Sequence, residues 1–198
     1  KEANFTAAFV IGIQKTLKRS FIPEGRGDLQ TTVGPEDVFH YAYAVFHSPT
    51  YRRRYADFLK RDFPRLLLTS SQALFRQLCG LGAELTALHL LERDAPAIAT
   101  YPIPGNDRIE IIRYVEPNGD APGRVWINAT QYFQGIPPDL WNLRVGGYQV
   151  LAKWLKDRKG RVLGFDELLH YQRVAAALYR TLEIQQAIDE TIGEWPLR

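Results

Sequence analysis

Residues 37–63 read DVFHYAYAVFHSPTYRRRYADFLKRDF and contain two short helical patterns. The residue before a proline is disfavoured in the α region, so we expect one helix to end at Ser48 and a second to begin at Pro49. One face of the second helix has the spacing of a buried stripe and carries Tyr51, Tyr55, Phe58 and Leu59. Its other faces carry the cations Arg52, Arg53, Arg54, Lys60 and Arg61. The stretch therefore predicts a helix that packs on a core through its aromatic face and presents cations to solvent.

The composition around this stretch is that of a globular protein with unevenly distributed charge. The chain has 198 residues, 45% of them hydrophobic and 24% charged, which is enough for one domain with a sizeable core. The net charge of +3 does not by itself require a nucleic acid partner. Residues 51–65, however, hold six basic and two acidic residues, and residues 153–161 hold five basic and one acidic. Any anionic partner should therefore bind at these two segments.

Several classes of protein are excluded or disfavoured. The single cysteine, Cys79, excludes an internal disulfide, and its apolar helical surroundings predict a buried, unreactive thiol. No apolar run reaches the length of a transmembrane helix, and residues 1–10 lack the architecture of a signal peptide, so we expect no membrane partner. Because the sequence contains no methionine, even at position 1, we expect a piece of a longer protein.

The order of patterns predicts an α/β (α+β) fold. Helical scaffold from both chain ends should surround a small, mostly antiparallel sheet, followed by a long C-terminal helix that begins at Asp166. We expect residues 1–35 to form an N-terminal linker or extension with one helix. Residues 36–198 should form a single domain that is helical over 36–92, β-rich over 95–147 and helical over 148–193.

Short strands are predicted in the β-rich part. Arg108–Val115 and Arg124–Ala129 are the first two, joined by the hairpin-type loop EPNGDAPG, and Leu140–Val145 is a third short run. Alternation in the second strand places Arg124, Trp126 and Asn128 on one face.

No constellation of residues predicts catalysis or metal binding. With one cysteine and four scattered histidines, a structural zinc site is not expected. The sequence has no glycine-rich phosphate loop and no nucleophile elbow. We therefore predict no catalytic residue, no metal ligand and no cofactor site in this chain.

Two sets of residues are candidates for contacts with a nucleic acid. Phosphates should bind the cations Arg52, Arg53, Arg54, Lys60, Lys156, Arg158 and Lys159. Base edges should contact Arg124, Trp126, Asn128, Gln131 and Tyr132, since arginine, asparagine and glutamine pair with guanine and adenine. The alternatives are a solvated helix face for the first set and an ordinary half-exposed sheet face for the second.

Three blocks of the sequence resemble a known family. They are GPEDVFHYAYAVFHSPTYRRRYADFLKRDFPRL (34–66), LGAELTALHLLE (81–92) and WNLRVGGYQVLAKWLKDRKGRVLGFDELLHYQRVAAAL (141–178). Together they resemble the C-terminal specificity domain of Type ISP restriction–modification enzymes and of related helicase-like DNA methyltransferases. The resemblance extends in order over about Asp28–Glu190.

The resemblance implies a non-catalytic DNA target recognition module of a larger bacterial or archaeal cytoplasmic enzyme. Its partners would be double-stranded DNA and the methyltransferase and coupling parts of the same polypeptide. S-adenosylmethionine, ATP and magnesium would be used by those other parts. The resemblance favours phosphate contacts over base contacts for the arginines of the opening stretch, and it places sequence discrimination within residues 95–145. The alternatives are a helical docking module without direct DNA contacts and a divergent nuclease.

Overall fold

The computed structural model describes residues 3–197, and within them the chain forms eight helices and seven short strands. The helices are α1 (Ala7–Leu17), α2 (Pro35–His47), α3 (Pro49–Arg54), α4 (Ala56–Leu59), α5 (Gln72–His89), α6 (Pro138–Asn142), α7 (Val150–Lys156) and α8 (Phe165–Ile192). The strands are β1 (Ser20–Phe21), β2 (Thr32–Val33), β3 (Arg113–Val115), β4 (Arg124–Trp126), β5 (Tyr132–Gln134), β6 (Arg144–Val145) and β7 (Tyr148–Gln149).

The predicted fold class is confirmed: helices occupy both ends of the chain, the sheets are small and mostly antiparallel, and the last helix is long. Of the described residues, 3–87 and 183–197 form one compact unit, called unit 1, and 88–182 form a second, called unit 2. The expected extension and the expected domain also include residues 1, 2 and 198, which lie outside the described residues.

The first helix of the opening stretch ends at His47, next to Ser48, as the following proline predicts. The Oγ of Ser48 accepts a hydrogen bond from the Tyr51 amide (3.0 Å) and so caps α3. The second helical pattern, however, is not one helix: at Tyr55 the backbone (φ −104°, ψ 17°) leaves the helical region and separates α3 from α4. Tyr51 is buried, whereas Tyr55 and Phe58 are half-buried. The aromatic face therefore packs inward over two short helices.

Unit 1 contains α1–α4, most of α5 and the last turns of α8. Helices α2 and α5 approach each other closely, since a Cβ on Gly82 would lie 1.8 Å from the carbonyl oxygen of His40. Cys79 is fully buried, as predicted, and burial raises the pKa of its thiol. The core includes Ile13, Leu17, Val33, Val38, Tyr41, Ala44, Val45, Tyr51, Phe75, Leu78, Cys79, Leu85, Ile184 and Ile188. Residues 1–35, the expected extension, thus supply Ile13, Leu17 and Val33 to this core.

Asp37 attaches the loop before α2 to the helix itself. Its buried carboxylate accepts hydrogen bonds from the amides of Gly27 (2.6 Å) and Gly34 (2.9 Å) and lies 3.4 Å from Nε of Arg26. The charge also faces the first turn of α2, where the helix dipole is positive. A single side chain therefore satisfies three donors at a helix N-terminus.

Unit 2 is built on the antiparallel sheet β3–β4–β5. Val125 and Ile127 are fully buried and Arg124 and Trp126 are half-buried, which confirms the predicted alternation over these four residues. Asn128, which was predicted on the outward face, is buried. The core of this unit also includes Ile109, Phe133, Ile136, Leu140, Leu151, Leu155, Leu163, Tyr171 and Ala175.

Two strand predictions need correction. The regular part of the first strand is β3 alone, because the backbone near Arg108 pairs instead with Val162. The run Leu140–Val145 is not a strand: residues 138–142 form α6, with Pro138 at its first turn, and only Arg144 and Val145 are extended.

We predict that Asp37→Asn lowers the free energy of unfolding by about 2–3 kcal/mol, since an amide in this position turns a donor toward buried donors. Urea denaturation measures the change. Asp57→Asn is the matched control, because the Asp57 side chain is 93% exposed, and its effect should stay below about 0.5 kcal/mol. Equal effects of the two substitutions would contradict the role given to Asp37.

Candidate nucleic-acid interface

One face of the β3–β4–β5 sheet packs on the core of unit 2 and the other carries polar and aromatic side chains. The strand register places Arg113, Trp126 and Tyr132 in one row across the sheet and Val115, Arg124 and Gln134 in the next. All six side chains are exposed or half-buried. We call these six residues the sheet face.

Two arginines of the sheet face lie over aromatic rings. The guanidinium carbon of Arg113 is 5.4 Å from the centre of the Trp126 ring, and that of Arg124 is 4.9 Å from the centre of the Tyr132 ring. The two rings contact each other across the strands, with centres 4.6 Å apart. A guanidinium that lies over a ring keeps its N–H donors directed outward in its own plane. The contacts therefore limit the conformations of both arginines while leaving donors available to a ligand.

Arg113, Val115 and Gln134 were not among the base-contacting residues predicted from the sequence. Arg113 alternates with the inward-facing Tyr114, and this alternation is visible in the sequence. Its place beside Trp126 depends on the register of the β3–β4 hairpin, which the eight-residue loop sequence does not specify.

Asn128 and Gln131, by contrast, are buried and hydrogen-bonded within the protein. Asn128 Nδ2 lies 2.8–3.2 Å from oxygens of Asn106, Arg108 and Gln131. Asn128 Oδ1 accepts hydrogen bonds from the amides of Thr130 and Gln131. This arrangement closes the turn between β4 and β5.

The side-chain amide of Gln131 uses both donors and accepts twice. Its Nε2 donates to the carbonyl oxygen of Ile103 (3.1 Å) and to Oδ1 of Asp107 (2.6 Å). Its Oε1 accepts from the Asp107 amide (2.9 Å) and from Asn128 (2.8 Å). The expectation that Asn128 and Gln131 contact bases is therefore corrected: their amide groups are needed to hold the turn. Arg124, Trp126 and Tyr132 stay as predicted base-contacting residues, and the structure brings these three together.

The basic segment of unit 1 is fixed in place by an acid on α8. The Asp189 carboxylate accepts hydrogen bonds from the Thr50 amide (3.1 Å), from Thr50 Oγ1 (2.6 Å) and from Ser48 Oγ. These contacts hold the N-terminus of α3, the helix that carries Arg52, Arg53 and Arg54.

The predicted phosphate-binding residues of unit 1 differ in whether their side chains already have a polar partner within the protein. Arg52 Nε donates to the carbonyl oxygen of Phe46 (2.7 Å), and Arg53 Nη2 donates to Thr50 Oγ1 (2.9 Å). Lys60 lies 3.0 Å from Asp57 in an exposed pair, which contributes little to stability. Within residues 3–197, Arg54 makes no side-chain hydrogen bond or ion pair.

Among the predicted phosphate-binding residues of unit 2, Arg158 contacts other side chains, whereas Lys156 and Lys159 are exposed. The Arg158 guanidinium lies 3.8 Å from the centre of the Trp154 ring and 3.5 Å from Glu167. The pKa of Glu167 is lowered by a hydrogen bond from the Gly164 amide and by the nearby Arg161 and Arg158. Lys156 and Lys159, on α7 and the turn after it, are exposed. In the described part of the chain neither lysine forms an ion pair.

Other kinds of site find no support among the described residues. Over 3–197 no group of three histidine, cysteine or acidic side chains is arranged to hold a metal ion. Over the same range no helix has both the length and the hydropathy needed to cross a bilayer.

Comparison with known proteins identifies a family. A family model described as the Type ISP C-terminal specificity domain matches residues 1–187. No curated protein matches the chain.

Three solved structures have a similar fold. One is a nuclease-deletion mutant of the Type ISP restriction-modification enzyme LlaGI in complex with a DNA substrate mimic, with 22% identity, 81% of this chain and 16% of that chain covered, and a TM-score of 0.51. The second is the DrdV–DNA complex, with 24% identity and a TM-score of 0.52; the match covers 83% of this chain and 18% of that chain. The third is the ATP-dependent Type ISP restriction-modification enzyme LlaBIII bound to DNA, with 20% identity and a TM-score of 0.51; the match covers 82% of this chain and 11% of that chain. The chain thus spans less than a fifth of each of these proteins, and identities this low establish a shared fold only.

We predict that Asn128→Ala lowers the free energy of unfolding by about 2–3 kcal/mol, because it leaves several buried polar groups without partners. Arg113→Gln, on the exposed sheet face, is the control and should change stability by less than about 0.5 kcal/mol. Both are measured by chemical denaturation. A stable Asn128→Ala protein with altered DNA binding would restore Asn128 to the base-contacting set.

Proposed function

The chain belongs to the family of Type ISP C-terminal specificity domains, and on this premise we propose that it recognises the DNA target of a restriction–modification enzyme. The ligand is double-stranded DNA, and the recognition is sequence-specific. The DNA in the three structures of similar fold is consistent with this ligand.

The sheet face is the observation that carries the proposal. It combines two oriented arginines, two aromatic rings and an amide on side chains that do not form the core. Arginine held in one plane is the side chain best suited to bidentate pairing with guanine.

Phosphate contacts would supply most of the affinity. Lys156, Lys159 and Arg54 are the first candidates, because none of them forms an ion pair within residues 3–197. Arg52 and Arg53 each donate one side-chain hydrogen bond and Lys60 forms an exposed ion pair, and a phosphate would replace these contacts. Arg158 is a poorer candidate, since it already contacts Trp154 and Glu167.

Catalysis would take place in other parts of the longer polypeptide. There, S-adenosylmethionine, ATP and magnesium would be bound, and a target adenine would be turned out of the duplex for methylation. The methyltransferase and coupling parts would be the protein partners of this domain, in the cytoplasm of a bacterium or archaeon.

The proposal predicts that the two exposed lysines of unit 2, Lys156 and Lys159, contribute to the salt dependence of the affinity for duplex DNA. The double variant Lys156→Gln, Lys159→Gln should reduce the slope of log affinity against log salt by about 2, since each lost phosphate contact removes about one released counterion. Fluorescence anisotropy of a labelled duplex at several salt concentrations measures the slope.

The matched control is the double variant Lys15→Gln, Lys18→Gln, which removes the same net charge from exposed positions on and beside α1 in unit 1. Its slope should equal that of the parent chain. Equal slopes for both double variants would contradict phosphate contact at Lys156 and Lys159. No duplex binding even at low salt would favour a protein-docking role instead.

The proposal also predicts that the sheet face sets the target. In the whole enzyme, exchanging Val115, Arg113, Arg124, Trp126, Tyr132 and Gln134 for the residues of a relative with another target should change the methylated motif. Sequencing of methylated sites measures the outcome. Exchange of the remaining residues of 95–143 is the control, and a motif that follows the control exchange would contradict the assignment.

A further inference from the structure

The β6–β7 hairpin is a narrow ribbon with an exposed apolar tip. Its turn consists of Gly146 and Gly147, which have positive φ angles (57° and 83°), as a two-residue hairpin turn requires. Val145 and Tyr148 flank the turn as cross-strand partners and are 57% and 62% exposed. Because the two turn residues are glycines, the tip of the hairpin carries no side chain beyond Val145 and Tyr148.

The base of the hairpin is firmly attached to unit 2. Gln149 Nε2 donates to the carbonyl oxygen of Trp141 (2.6 Å), and the Val150 amide donates to that of Leu143 (3.3 Å). The Trp141 ring in turn stacks on Tyr114 of β3, with centres 5.1 Å apart and planes at 15°. The exposure of Val145 and Tyr148 is therefore built into an ordered element.

The charged residues in the sequence that contains and follows the hairpin are almost all basic. Residues 144–161 include six basic residues and one acidic residue. Lys153 Nζ lies 5.3 Å from the centre of the Tyr148 ring, and the exposed Lys156 and Lys159 lie on the helix and turn that follow the hairpin. Lysine is depleted in protein interfaces, so the lysines of this segment favour an anionic partner over a protein.

We propose that the β6–β7 hairpin enters the major groove of duplex DNA, with Val145 and Tyr148 against the bases and Arg144 against a flanking phosphate. The major groove is about 12 Å wide and admits a two-stranded ribbon, and apolar side chains contact thymine methyl groups there. Lys156 and Lys159 then meet phosphates beside the same groove. This inference rests on the proposed DNA binding, and it adds a second recognition element that lies outside the sheet face.

The buried cysteine makes a direct test possible. The thiol of Cys79 is fully buried and its pKa is raised, so it reacts slowly with alkylating reagents. In the variant Tyr148→Cys, alkylation therefore reports on the hairpin. The control is Phe165→Cys, at an exposed aromatic position in the same unit (78%) outside the hairpin. The probe is a pool of duplexes with randomised sequence, at a concentration that saturates binding in an anisotropy measurement.

Saturating duplex should slow alkylation at position 148 about tenfold or more and leave the rate at position 165 unchanged. If the duplex binds but position 148 is not protected, or both positions are protected equally, the hairpin inference is overturned and the proposed function stands. If no duplex binds, both fail together. Protection of position 148 by the remaining parts of the enzyme and not by DNA would also overturn it, in favour of a protein interface.

A second measurement separates groove contact from charge. Tyr148→Ser should weaken duplex binding about tenfold while leaving the salt slope unchanged, because the removed side chain is uncharged. Val162→Thr, at a position that is 54% exposed, is the control and should leave the affinity unchanged. Unchanged affinity of Tyr148→Ser would overturn the inference.

Discussion

The buried amide of Gln131 is the contact on which the arrangement of unit 2 depends. It joins the β4–β5 turn to the segment that contains Ile103 and Asp107, and both segments approach so closely that a Cβ on Gly105 would lie 2.6 Å from its side chain. A polar network of this kind stabilises a fold only when every member is satisfied, since each unpaired group keeps its desolvation cost. The turn therefore has one geometry, and the strands that extend from it present their outward side chains in a fixed arrangement.

The sequence predicts the parts of this arrangement that depend on local rules. A proline after Ser48 predicts a helix break, and alternation at Val125 and Ile127 predicts which face of β4 is buried; both are confirmed. The separation of α3 from α4 at Tyr55 has no comparable local signal. The helix α6 does have one, because Pro137-Pro138-Asp139 is a helix start, but five residues are too few for periodicity to distinguish a helix from a strand.

The candidate site is less predictable because its chemistry depends on distant partners. Asparagine, glutamine and arginine have the same hydrogen-bonding groups whether they face a base or a buried carbonyl. Asn128 lies 22 residues from Asn106, and Gln131 lies 28 residues from Ile103, so only the folded chain shows that their groups are used internally. The same holds for the cations: Arg158 and Lys159 are neighbours in sequence, yet one lies against Trp154 and the other is exposed.

The alternation of β3, β4 and β5 has a consequence for how specificity can evolve. In these strands every second residue packs on the core, and the residues between them face outward. If these outward positions contact bases as proposed, point mutations there can change the target at a small cost in folding stability, so a lineage can explore new targets one residue at a time. Changes at Asn128 or Gln131 carry a folding cost and should be eliminated by selection before they affect recognition. Diversity among close relatives should therefore follow a period of two along this sheet and stop at the turn.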